Sequence, residues 1–132
     1  MKTIEDYFTS VRQLMQRIPD ASAERYEEQL LSVHRGNLRI RLRFSNHALL
    51  EISEAIVIIA EELRWLSYRY HYQDPAVGLV FRYDNTPHHP EVPTHPHHKH
   101  ARDYVLASSR PSIEQVLHEA QAFRDRVRNQ GD

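Results

Sequence analysis

From Thr3 onward the apolar residues fall at Ile4, Tyr7, Phe8, Val11, Leu14, Met15 and Ile18, the i, i+3, i+4, i+7 spacing that lines one side of an amphipathic helix. Thr3 is placed to cap it. Ile18-Pro19-Asp20 ends it, because a residue preceding proline is pushed out of the α region, and Asp20 to Glu24 reads as a linker. Between Arg25 and Tyr83 the period falls to 2. The clearest stretch is Asn37 to Phe44, where Leu38, Ile40, Leu42 and Phe44 alternate with Arg39, Arg41 and Arg43; this predicts a strand with one buried and one solvated face. Arg35-Gly36-Asn37 offers the glycine of a tight turn, so Tyr26 to His34 is expected to pair with that strand as a hairpin. Ser45-Asn46-His47 predicts a turn into a strand over Leu49 to Ile59, and Glu61-Glu62 a further turn. Leu66, Tyr68, Tyr70 and Tyr72 then alternate with Trp65, Ser67, Arg69 and His71, a pattern of high β propensity. Gln73-Asp74-Pro75-Ala76 turns the chain into a fifth strand, Val77 to Tyr83. Residues 55–66 also fit a helical segment, since a short apolar run does not decide its own period.

The stretch from Phe81 to His100, FRYDNTPHHPEVPTHPHHKH, fits neither period. Pro87, Pro90, Pro93 and Pro96 recur every third residue, and each fixes φ and removes a backbone donor, which forbids a helix and opposes a central strand. The segment is expected to be a loop, partly extended in polyproline form, and loops of this length in small domains are usually functional or disordered. Ala101 to Ala107 predicts a short final strand. Ser109-Arg110-Pro111-Ser112 then opens a helix, with Ser112 and Gln115 spaced as a capping box and Ile113, Val116, Leu117, Ala120, Phe123 and Val127 as its apolar stripe, ending before Gly131. The fold expected is α+β in a single domain, residues 1–132. One twisted antiparallel sheet of about five or six strands carries the N- and C-terminal helices on one face.

Composition leaves that picture intact. Of 132 residues, 40% are hydrophobic and 27% charged, ordinary for a globular protein, and the formal net charge of -1 gives no overall basic field to draw in nucleic acid. There is no cysteine, which excludes disulfides, thiolate metal sites and thiol nucleophiles. The longest apolar run, Ala55 to Ala60, is too short to span a bilayer, and the N-terminus lacks an apolar signal core. A cytoplasmic location without membrane contact is the expectation.

Chemistry enters with the histidines, six of which, at 88, 89, 95, 97, 98 and 100, lie in the proline-rich stretch. Histidine titrates nearest neutral pH and is a common metal ligand. In an acid–base reading, His88, His89, His97, His98 and His100 transfer protons while Lys99 and Arg82 steady a charged phosphate. Arg69 and His71 share a strand face opposite Tyr68, Tyr70 and Tyr72, and with Asp84 and Glu91 they form the expected binding group. No cofactor is then required. In the alternative reading His97, His98 and His100 hold zinc or nickel, although no recognised metal signature is present and adjacent His97 and His98 point to opposite sides of an extended chain. A structural role, with the rings bonded to backbone carbonyls, is a third reading. The row Arg35, Arg39, Arg41 and Arg43 reads first as the solvated side of a sheet and second as a phosphate-binding face. The tyrosines belong to the core or rim before any base-stacking platform, and His34, His47 and His118 receive no role.

The ordered succession YRYHYQ, FRYDNTPHHPE and HPHHKH over residues 68–100 resembles the TumE-family toxins, the toxic component of bacterial type II toxin–antitoxin pairs. The matching motif positions are Arg82, Tyr83, Asp84, Asn85, His88, His89, Pro90, Glu91, His97, His98, Lys99 and His100. The chain departs from that pattern at Thr86 and at His95, which stands in the place of an aromatic. The resemblance implies a toxin neutralised by a cognate antitoxin protein and acting on RNA. Joined to the acid–base reading, it makes a metal-independent ribonuclease the expected activity, against the alternative of a non-enzymatic or metal-binding interaction module. A homodimer is left open.

Overall fold

The computed structural model describes residues 3–87 and 89–130. The first amphipathic stretch forms helix α1 (Ile4–Gln16), and the Thr3 hydroxyl accepts a 2.9 Å hydrogen bond from the Asp6 backbone N–H, which satisfies one of the unpaired donors of the first turn. Seven strands follow, β1 (Ala21–Ser32), β2 (Arg35–Phe44), β3 (Leu49–Ile59), β4 (Glu62–Asp74), β5 (Gly78–Asp84), β6 (His98–Ala101) and β7 (Tyr104–Ala107), before helix α2 (Ile113–Gln130). The strands lie side by side in chain order, each antiparallel to the next. The α+β class is as expected, but the sheet is wider than five or six strands. The proline pattern bars pairing only as far as Pro96, and beyond it His98–Ala101 is free to join β5.

Three local expectations change with the structure. β1 begins at Ala21, which pairs with Phe44, so the stretch read as a linker is already sheet. Gly36 lies inside β2 rather than in the turn, which falls at Val33 and His34. A Cβ at Gly36 would stand 2.8 Å from Ile4 Cγ2 and 3.2 Å from Phe8 Cζ, so glycine is required by the approach of α1 to the sheet. Residues 55–66 contain no helix, because β3 and β4 reverse at Ala60 and Glu61, with φ of 50° and 64°. Positive φ at both central residues is the twist that a two-residue hairpin loop needs.

Both helices cover the face that carries Leu38, Ile40, Leu50, Ile52, Tyr70, Tyr72 and Phe81, all buried. Glu54 is buried among them and accepts hydrogen bonds from Tyr7 Oη (2.5 Å), Tyr70 Oη (2.5 Å) and Trp65 Nε1 (2.9 Å). Burial pushes its carboxyl pKa up, while the three donors and the Arg110 guanidinium pull it down. Arg110 lies 3.4 Å above the Trp65 ring and 3.9 Å from the carboxylate. The network ties α1, the sheet and the approach to α2 together through fully satisfied polar groups. Among the described residues no helix covers the opposite face of the sheet, whose side chains are mostly polar.

Candidate functional site: a histidine–arginine pocket on the open face

Strand register decides which side chains meet on that open face. Pairing across β2 to β6 aligns Arg41, Glu51, His71, Arg82 and His100 in one row, and Arg39, Ser53, Arg69, Asp84 and His98 in the next. His98 and His100 are two apart in β6 and therefore point to the same side, as Arg82 and Asp84 do in β5. The loop between those strands is compact. The Val92 N–H donates to the His89 carbonyl (3.2 Å), the His95 N–H to that of Val92 (2.9 Å) and the His97 N–H to that of Thr94 (2.8 Å). Val92 is buried, and Thr94 Oγ1 donates to the His97 carbonyl at 2.6 Å while accepting from the Ser108 N–H at 2.9 Å. This folding returns His89 over β6. The rings of His89, His98 and His100 then stand edge to face, with centroids 5.0, 5.3 and 4.9 Å apart.

Beneath the rings is Asp84, almost fully buried. Its Oδ1 accepts from the Thr86 N–H (3.0 Å) and meets His98 Nε2 at 2.9 Å, and its Oδ2 accepts from Arg82 Nε at 3.2 Å. His98 Nδ1 lies 2.9 Å from the Pro96 carbonyl. Both His98 nitrogens thus face acceptors, which fixes the ring in place between the Pro96 carbonyl and the Asp84 carboxylate. His100 sits in a different setting. Burial lowers its pKa, helped by the charges of Arg82 and His98 and opposed by Asp84, so it is neutral at pH 7. His89 Nδ1 is 3.2 Å from Glu91, which leaves its other nitrogen for the pocket. The rings, Arg69, Arg82 and Thr86 line an open cavity of about 260 Å³.

The expected site residues thus divide. His89, His98, His100, Arg82, Arg69 and Asp84 come together, with Glu91 behind His89. His97 turns to the other side of the sheet, where its Nδ1 is 3.0 Å from Tyr68 Oη and its ring stacks on Tyr68; burial pushes the Tyr68 hydroxyl pKa up to about 12. Lys99 also faces the helices. It donates to Glu119 at 2.6 Å and lies over the Tyr83 ring. Burial opposes its charge, but the bonds to Glu119 and Tyr83 prevail and raise its pKa. His71 sits one residue beyond Arg82 in its row, with Nε2 3.1 Å from Gln73 and its pKa lowered chiefly by burial. His95 is exposed, and His88 lies outside the described residues. Sequence reasoning missed Thr86, whose N–H helps to hold Asp84, and Glu119, which fixes Lys99 from α2. Strand alternation at His98 and His100 was a usable signal; nothing local marks Glu119.

For a metal, one nitrogen from each of His89, His98 and His100 lies within 4.8 Å of the others. Zinc–nitrogen bonds of about 2.0–2.1 Å would draw the three rings closer together, and His98 would have to release Asp84 or Pro96. The set differs from the expected one in having His89 where His97 was anticipated.

A seven-stranded antiparallel meander with two helices on one face and a histidine–arginine pocket on the other defines an α+β protein built to present clustered imidazoles at a sheet surface. The chain belongs to the TumE toxin family: the family model described as Toxin TumE matches residues 7–129, a span that takes in all seven strands and the pocket. No curated protein and no solved structure matches it. No helix among the described residues is long and apolar enough to cross a membrane.

Proposed function

We propose that this TumE-family toxin is a ribonuclease that needs no metal and that its partner in the cell is an antitoxin protein that restrains it. The observation that carries the reading is the meeting of His89, His98 and His100 with Arg69 and Arg82 around one open cavity above a buried carboxylate. Neutral His100 takes the proton of a ribose 2′-hydroxyl, whose oxygen attacks the adjacent phosphorus. As the bond from phosphorus to the 5′-oxygen breaks, protonated His89, oriented by Glu91, gives its proton to the departing oxygen. The products are a 2′,3′-cyclic phosphate and a free 5′-hydroxyl. Arg69 and Arg82 hold the phosphate oxygens as charge builds on them, and His98, anchored by Asp84, fixes the floor of the pocket.

The test is cleavage of cellular RNA by purified protein in chelator. His100→Ala and His89→Ala should each lower the rate by roughly 100-fold or more with unchanged circular dichroism, and should relieve growth inhibition. Intact RNA after incubation with the antitoxin-free wild type overturns the reading.

The close approach of the three histidine nitrogens supports a second reading, in which His89, His98 and His100 bind zinc or nickel and the protein is a metal-holding interaction module. Elemental analysis of untagged protein separates the two: one stoichiometric ion per chain, lost in His100→Ala, favours the metal, and none favours the nuclease.

A further inference from the structure

The arginines of the open face differ in whether a carboxylate neutralises them. Arg41 and Arg43 are tied to Glu24, and Arg41 also approaches Glu51. Arg39 and Arg69 have no carboxylate partner among the described residues, although both line the groove of about 740 Å³ that runs over β1 to β4. Arg69 also lines the histidine pocket, so the groove and the pocket adjoin at this side chain. In the row Arg39, Ser53, Arg69, Asp84, His98, neighbouring strands are about 4.8 Å apart. Arg39 and Arg69 therefore stand about 10 Å apart across the sheet, with His98 and its pocket about 10 Å further on. Two guanidinium groups without a carboxylate partner thus lead toward the pocket.

Resting on the ribonuclease reading, we propose that this row is the substrate track: single-stranded RNA lies across the open face with one phosphate in the histidine pocket and a backbone phosphate several nucleotides away on Arg39. The span from β6 to β2, about 19 Å, holds roughly six stacked nucleotides at about 3.4 Å each, or fewer if the strand is extended. Phe, Tyr and Trp are absent from both rows. With no Phe, Tyr or Trp to stack on, binding is chiefly through the backbone, tolerant of sequence and sensitive to salt.

The experiment uses the full chain and a 12-nucleotide 2′-O-methyl RNA, which binds but offers no 2′-hydroxyl to attack, read by fluorescence anisotropy over a salt series. Arg39→Glu should weaken binding roughly tenfold and reduce the salt slope by about one, and Arg39→Lys should restore most of it. On cleavable RNA of that length Arg39→Glu should raise KM with kcat unchanged, and leave a dinucleotide substrate unaffected. Equal binding of the oligonucleotide by wild type and Arg39→Glu overturns the track while leaving the nuclease reading standing. If Arg39→Glu keeps RNA binding but escapes neutralisation by antitoxin, the row is a protein-docking surface and the inference fails. If the wild type binds no oligonucleotide, the nuclease reading falls with it.

Discussion

His98 and His100 share a strand face yet meet different surroundings. His98 is enclosed by two acceptors, the Pro96 carbonyl and the Asp84 carboxylate; His100 is held below the usual imidazole range, first by burial and then by Arg82. This difference gives a pH prediction. A base whose pKa is lowered stays unprotonated to lower pH, so the rising limb of the rate–pH profile should have its midpoint below about 6.5. Arg82→Gln removes one of the charges that oppose protonation, so in rate–pH profiles its midpoint should move up toward 6.5 as the plateau falls. A midpoint that stays in place would mean that Arg82 does not act on His100. At this scale the sequence was only half informative. The candidate imidazoles could be named from it, but the enclosing partners, a carbonyl at Pro96 and a carboxylate in another strand, could not.

Among the elements, the strands were legible wherever one face meets the core and the other meets solvent, as at Leu38 to Phe44. Gly36 shows where local pattern misleads. Glycine beside a turn reads as turn chemistry, but here it is demanded by Ile4 and Phe8 pressing on β2. Gly36→Ala should lower stability by about 2 kcal/mol, as overpacking does, seen as a lower urea midpoint, and combining it with Ile4→Ala, which removes the Cγ2 methyl, should cost less than the sum of the two single changes. If the single variant unfolds like the wild type, α1 is not seated as described. The same limit applied to β6. Four prolines masked a strand that begins two residues past the last of them, because strand formation at His98 depends on a free edge of β5 and not on its own neighbours.

Across the whole molecule, the two faces of the sheet do different work. The helix-covered face holds stability in packed aromatics and the satisfied Glu54 network. Replacing Glu54 by Ala leaves two hydroxyls and an indole N–H without an acceptor and should cost about 3 kcal/mol. Open-face changes such as Arg39→Ala or Ser53→Ala should stay within about 0.5 kcal/mol. Thermal melts of these three variants check the division, and an Arg39→Ala loss as large as that of Glu54→Ala would show the open face to be structural. The sequence by itself determined the alternation that makes a sheet, the two amphipathic helices, the proline-bounded histidine run and the family signature within it. These are readable because each depends on residues a few positions apart. Only the tertiary structure decided that His89 rather than His97 joins His98 and His100, that Lys99 faces α2, and that Arg69 links groove to pocket. Those outcomes depend on strand register and on how one loop folds back, which are set by contacts between residues far apart in the chain.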